Sequence, residues 1–96
     1  MTPVFFHLVT GVLPLENYKL QLSFNDGSDG VVDIAGLLGS FHGVFEPLQD
    51  PEYFRRVAVD PESGTVTWPN QVDLDPEVLY SEATGKPLPE FYLEGD

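Results

Sequence analysis

Hydrophobic and polar positions alternate most cleanly over residues 18–24, "YKLQLSF". Tyr18, Leu20, Leu22 and Phe24 alternate with Lys19, Gln21 and Ser23, which predicts a strand with one buried face. Upstream, Val4 to Val9 carries apolar residues on both faces around His7. It predicts an earlier strand, which Gly11 and Pro14 end. The next stretch, "FNDGSDGVVDI", holds three Asp and two Gly and admits two readings. A calcium loop of the EF-hand type needs D-x-[DN]-x-[DN]-G with Glu at the twelfth position. Started at Asn25 it has Gly27 third and Gly36 twelfth; started at Asp26 it has Gly fifth. The expectation is therefore a hairpin turn, since Asn, Asp and Gly tolerate positive φ, with Val31 and Val32 resuming a strand.

Asp33 is placed to cap a helical turn, "IAGLLGS", that Gly39 closes. "FHGVFEPL" predicts an aromatic-rich loop. Asp-Pro-Glu then occurs three times, beginning at residues 50, 60 and 75. In each, Asp can accept orphan amides while Pro presets the next φ. Asp50-Pro51 predicts a short helical turn carrying Tyr53 and Phe54. Asp60-Pro61, with Ser63-Gly64, predicts a hairpin between "RVAVD" and "TVTWP". Asp75-Pro76 predicts the helix "PEVLYSEAT", with Leu74 and Leu79 as a hydrophobic staple and Gly85 as its end. Pro87 and Pro89 make the tail extended. Together these elements predict an α+β fold, one small domain over residues 1–85 with a mostly antiparallel sheet and short helices, and an extended tail over 86–96.

Composition narrows the function. The chain has 96 residues, 42% hydrophobic and 12% aromatic, enough for one core. It has no Cys, so disulfides, thiol catalysis and Cys–zinc sites are excluded. The N-terminal segment lacks the pattern of a secretory leader, and no apolar run could span a bilayer; a soluble, cytoplasmic protein is expected. Sixteen acids against Lys19, Arg55, Arg56 and Lys86 give a net charge of −12. Such a surface repels phosphate backbones and anionic lipid. Direct nucleic-acid or membrane binding is therefore not expected, and a basic protein partner is.

The combination of these segments resembles the bacterial family catalogued as domain of unknown function 2442. The resemblance rests on Phe24–Gly27, Val32–Ile34, Pro47–Phe54, Trp68–Gln71 and Asp73–Tyr80, and spans about residues 9–82. It brings no catalytic activity with it. It implies a small α+β domain, in some members followed by a helix-turn-helix DNA-binding domain, in others paired with a second small protein in a toxin–antitoxin-like arrangement. With its last residue at Asp96, a stand-alone member is expected. Gln71 departs from the family pattern, which has Gly after Trp-Pro-Asn; Asn70 is then expected to take the left-handed conformation.

No catalytic constellation is visible and no cofactor is expected. His7 and His42 lack the spacing of a zinc site, and Ser40 with His42 does not make a triad. Glycine-rich phosphate loops are absent. Arg55 and Arg56 are expected to pair with local acids. The first functional expectation is a non-enzymatic interaction domain, the acidic partner in a toxin–antitoxin-like or regulatory pair. Phe91, Tyr92, Leu93 and Trp68 are its candidate partner-binding residues, although core packing is the preferred reading of Trp68. The alternative is a small-ligand sensor using His42, Arg55, Asn70 and Asp73. Hydrolysis by paired carboxylates is a third and weaker reading.

Overall fold

The computed structural model describes residues 7–86. A meander of three strands, β1 (Val9–Leu15), β2 (Lys19–Phe24) and β3 (Asp29–Asp33), forms an antiparallel sheet in that order. α1 (Ile34–Leu38) follows, then a 3-10 helix over Gly43–Gln49, α2 (Pro51–Phe54), a second hairpin of β4 (Ala58–Asp60) and β5 (Thr65–Thr67), and α3 (Pro76–Thr84). The fold is α+β with antiparallel pairing, as the alternation predicts.

β2 is central because its pattern allows it. Leu20, Leu22 and Phe24 are buried while Gln21 and Ser23 face solvent. They join Val9, Val32, Ile34, Leu48, Phe54, Val57, Val66, Trp68, Leu79 and Tyr80 in one core. Each such apolar side chain contributes about 1.5–3 kcal/mol on burial.

The acidic stretch is a hairpin turn. Gly27 takes φ +89°, Phe24 N–H donates to Ser28 O at 2.9 Å, and Ser28 N–H donates to the Asp26 carboxylate at 2.9 Å. Gly30, by contrast, belongs to β3, and its role is proximity. A Cβ there would stand 2.2 Å from the Ala83 carbonyl oxygen of α3. The glycine lets the helix backbone lie directly on the strand.

The three Asp-Pro-Glu segments share one bond. The carboxylates of Asp50, Asp60 and Asp75 accept the amides of Glu52, Glu62 and Glu77 at 3.0, 2.9 and 2.8 Å. At residues 50 and 75 this starts α2 and α3. At residue 60 a hairpin turn forms instead, where Gly64, at φ +72°, donates back to Asp60 O. Asp33 caps α1 through the Gly36 amide, and Gly39 and Gly85 close α1 and α3.

Four expectations are corrected. β1 begins at Val9, the last residue of the expected Val4–Val9 strand; His7 and Leu8 precede it outside any strand, and residues 4–6 lie outside the described region. Gly11 and Pro14 do not end it. Gly11 sits at a register shift, as bulges favour. Pro14 opposes Leu20, at a position where alternation aims its nitrogen away from β2, so no ladder bond is lost. The aromatic loop contains the 3-10 helix. And Gln71, not Asn70, takes the left-handed conformation, at φ +68°. Its N–H closes the turn on Trp68 O at 2.8 Å, the geometry that Gly at this position would suit.

Candidate functional site

The densest polar constellation lies where α3 meets the β2–β3 turn. Asp75 and Pro76 start α3 so that Glu77 and Tyr80, three residues apart, face the same side. Glu77 is 4% exposed. Its carboxyl accepts the His7 backbone N–H at 2.6 Å and lies 3.0 Å from His7 Nδ1. The His7 ring stacks on Tyr80, centroids 3.6 Å apart and planes 13° from parallel. Its Nε2 lies 3.7 Å from Asp26. Tyr80 donates its hydroxyl proton to Asp26 at 2.7 Å and accepts from Lys86 Nζ at 3.1 Å.

This arrangement tunes two charges. The Tyr80 hydroxyl, aided by the Ser28 amide and hydroxyl and by His7 and opposed by desolvation, lowers Asp26 to a pKa of about 2. The same hydroxyl raises the Lys86 ammonium above its ordinary value. The group is a chain of mutually satisfied bonds. Among the described residues no three His, Asp or Glu side chains are arranged to hold a metal.

Beside it a shallow cavity of about 530 Å³ is lined by His7, Leu8, Ser63, Thr65, Asp73, Leu74, Asp75, Pro76 and Glu77. Its wall is acidic, and the chemistry it offers is carboxylate acceptance of ammonium or guanidinium groups.

The candidate ligand residues are not brought to one place. Asp73 lines that cavity, whereas Arg55 lines another of about 240 Å³ with Leu15, Glu16, Asn17, Tyr18, Pro51 and Phe54. His42 is exposed and bonds Ser40 Oγ at 2.7 Å. Asn70 is a structural hub. Its amide group donates to Val44 O at 3.1 Å, and its backbone N–H donates to the Tyr53 hydroxyl at 2.9 Å. Arg55 and Arg56 make no ion pair with an acid among the described residues, contrary to the expected local pairing.

The candidate partner anchors divide. Phe91, Tyr92 and Leu93 lie outside the described residues. Trp68 is 2% exposed, and its indole N–H donates to Phe54 O at 2.9 Å. It is a core residue and has no face to offer a partner.

Sequence reasoning missed the Glu77–His7–Tyr80–Asp26 group. His7 and Glu77 are 70 residues apart, and Tyr80 and Asp26 are 54 apart. The one local signal was an acid in the first turn of a helix with an aromatic three residues on. It missed Tyr18 as well. This residue opens the 18–24 alternation, yet it precedes β2 and takes φ +60°. Its ring meets Phe41 and Phe54 at 5.2 and 5.3 Å, its hydroxyl donates to Gln49 O, and it borders two cavities.

With this geometry in place, comparison with known proteins adds a family and a fold relative. A family profile described as protein of unknown function (DUF2442) matches residues 9–85, and the chain belongs to that family. A crystal structure from Nitrosomonas europaea, described as a candidate DNA-binding protein, is similar at 28% identity with a TM-score of 0.70. The match covers 88% of this chain and 54% of that one, so this chain spans about half of that protein's length. No curated protein matches.

Proposed function

We propose that this DUF2442 member is a non-enzymatic interaction domain that binds a basic protein, as the acidic member of a two-protein regulatory pair, of which a toxin–antitoxin-like pair is one form. One observation carries the reading: a net charge of −12 on 96 residues. A surface of this kind accelerates encounter with a cationic partner and discriminates against anionic ones. Asp73, in the acidic cavity wall, supplies a local acceptor for such a partner. The similarity to a candidate DNA-binding protein involves 54% of that chain, and phosphate contact does not suit a domain with sixteen acids and four bases. The same charge argues for action through protein rather than on nucleic acid.

The test is co-purification of the full chain with its partner, followed by titration from about 50 mM to about 500 mM salt. The reading expects a stoichiometric basic protein whose affinity falls steeply with salt. Affinity that does not change across that range would overturn it.

A second reading, a small-ligand sensor, is favoured by Tyr18. A tyrosine at φ +60° between two cavities stores about 1–2 kcal/mol, and Arg55 opens into one of them without an acidic partner among the described residues. A thermal-shift screen against metabolite carboxylates tests it, with stabilisation that Tyr18→Ala abolishes as the expected result. No shift with any compound would count against it.

A further inference from the structure

The two edges of the β1–β2–β3 sheet differ. The β1 edge lies against the second hairpin, where Val9 N–H donates to Gly64 O at 2.8 Å. Among the described residues β3 has a single strand neighbour, β2, and no other strand or turn bonds its backbone. Parity identifies what this edge presents. Phe24 N–H donates to Ser28 O and Ile34 N–H donates to Tyr18 O. The hydrogen-bonded pairs therefore continue through Leu22–Gly30 and Leu20–Val32. The alternate residues, Asp29, Val31 and Asp33, aim their backbone groups outward. These are also the residues whose side chains are exposed, Val31 by 48%. Val31 stands in one cross-strand row with Gln21 and Leu13, itself 56% exposed.

The edge thus reads acid, apolar, acid at every second position, with amides at the same residues that no described residue accepts. We infer that β3 accepts an extended segment of the basic partner by strand addition, in the pattern basic–x–apolar–x–basic. Residues directly opposite in an antiparallel pair share a face. An apolar side chain across from Val31 therefore joins the Val31–Leu13 row, while basic side chains two positions to either side meet Asp29 and Asp33. Strand addition draws affinity from main-chain bonds and specificity from alternate side chains. Symmetric self-pairing about Val31 is opposed by the same geometry. Antiparallel pairing of β3 with itself about Val31 sets Asp29 against Asp33, like charges directly opposed. Lys19, across from Asp33 on β2, is the one cation in these rows, and it lies one strand in from the edge.

This inference rests on the basic-partner reading above and is tested apart from it. The probes are two synthetic peptides of about ten residues, one centred on Lys-Thr-Val-Thr-Lys and one with the same composition scrambled. Each is titrated into the full chain at low salt, with amide exchange followed at Val31. The expected results are fast Val31 exchange in the free chain, protection by the patterned peptide, and binding about tenfold tighter than to the scrambled one. Val31→Pro removes an outward N–H without touching the β2 ladder and should abolish the preference. Asp29→Lys keeps the backbone intact. It should weaken the patterned peptide and restore binding to one carrying Glu in place of one Lys. Equal binding of both peptides, lost at high salt, overturns the strand addition and leaves the acidic-domain reading standing. Failure of both peptides at low salt counts against both readings. Slow Val31 exchange in the free chain, or a dimer that Val31→Pro dissolves, means the edge is already occupied and also overturns the inference.

Discussion

The core is fastened differently in two places. Around α3 the fastening is polar and close. Gly30 admits the Ala83 carbonyl, Glu77 is buried against His7, and Tyr80 ties Asp26 and Lys86 through one hydroxyl. Around α2 the fastening is aromatic. Phe54 lies 5.8 Å from Trp68 and 5.3 Å from Tyr18, centroid to centroid, and the Trp68 indole bonds the Phe54 carbonyl. The first region depends on protonation and on a fit of tenths of an ångström. The second depends on filled volume. A polar lock is specific but sensitive to conditions, whereas an aromatic cluster tolerates pH and suffers from truncation.

Substitutions in each region can separate these modes. Trp68→Ala should have the largest effect, about 3–5 kcal/mol, because it empties the aromatic region and removes the shorter of the two hydrogen bonds to the Phe54 carbonyl, leaving that from Val57 N–H. Urea unfolding should show this loss unchanged between about pH 5 and pH 8, since the ring's partners are the Phe54 ring and carbonyl, which do not titrate. A pH-dependent loss would mean that the two regions are coupled.

Gly30→Ala comes next, at about 2–3 kcal/mol. The added Cβ meets backbone, 2.2 Å from the Ala83 oxygen and 2.8 Å from its carbon, so α3 itself has to move. The loss should appear in thermal unfolding, with faster exchange of α3 amides. An unaltered melting temperature would show that the helix can shift freely.

Tyr80→Phe should cost about 1 kcal/mol at neutral pH, given the solvent exposure of Asp26. Here the sign of the pH dependence matters. Asp26 is held at about 2 against an ordinary 3.8. Its contribution is therefore complete above the ordinary value and is lost as pH falls through the lowered one. The gap between wild type and variant should narrow below about pH 4, and NMR titration of the variant should find Asp26 nearer its ordinary value.

The smallest effect has the opposite sign. Gln71→Gly should stabilise the protein by about 1 kcal/mol, because the residue already occupies the left-handed region at φ +68°. A destabilised variant would mean that the Gln71 side chain contributes more than its backbone strain costs.

These two regions were unequally legible in the sequence. The β2 alternation, the Asp-Pro caps and the limits of α3 could be read directly, because each depends on neighbours within about four residues. Trp68 could be assigned to the core from its place at a strand end. The polar lock could not. His7 and Glu77 are 70 residues apart, and nothing near His7 foretells the helix that it meets. Gly30 was hidden among turn residues because its role is set by a helix 50 residues later. Pro14 misled for a related reason: whether proline breaks a strand depends on which way its nitrogen points, and that requires the register. The dispersal of His42, Arg55, Asn70 and Asp73 shows the same limit, since proximity in sequence to an aromatic segment does not place side chains around one cavity.

The Tyr80 ring has a consequence beyond stability. His7 stacks on one face of it, while Lys86 reaches its hydroxyl, so both ends of the described chain arrive at the same corner. Closing a loop between them would cost little entropy, and a permuted chain with these ends joined by a short linker and new ends cut at an exposed turn is feasible. For the same reason, a domain fused ahead of His7 and another fused behind Lys86 would be delivered side by side, with Tyr80 as the common hinge pin.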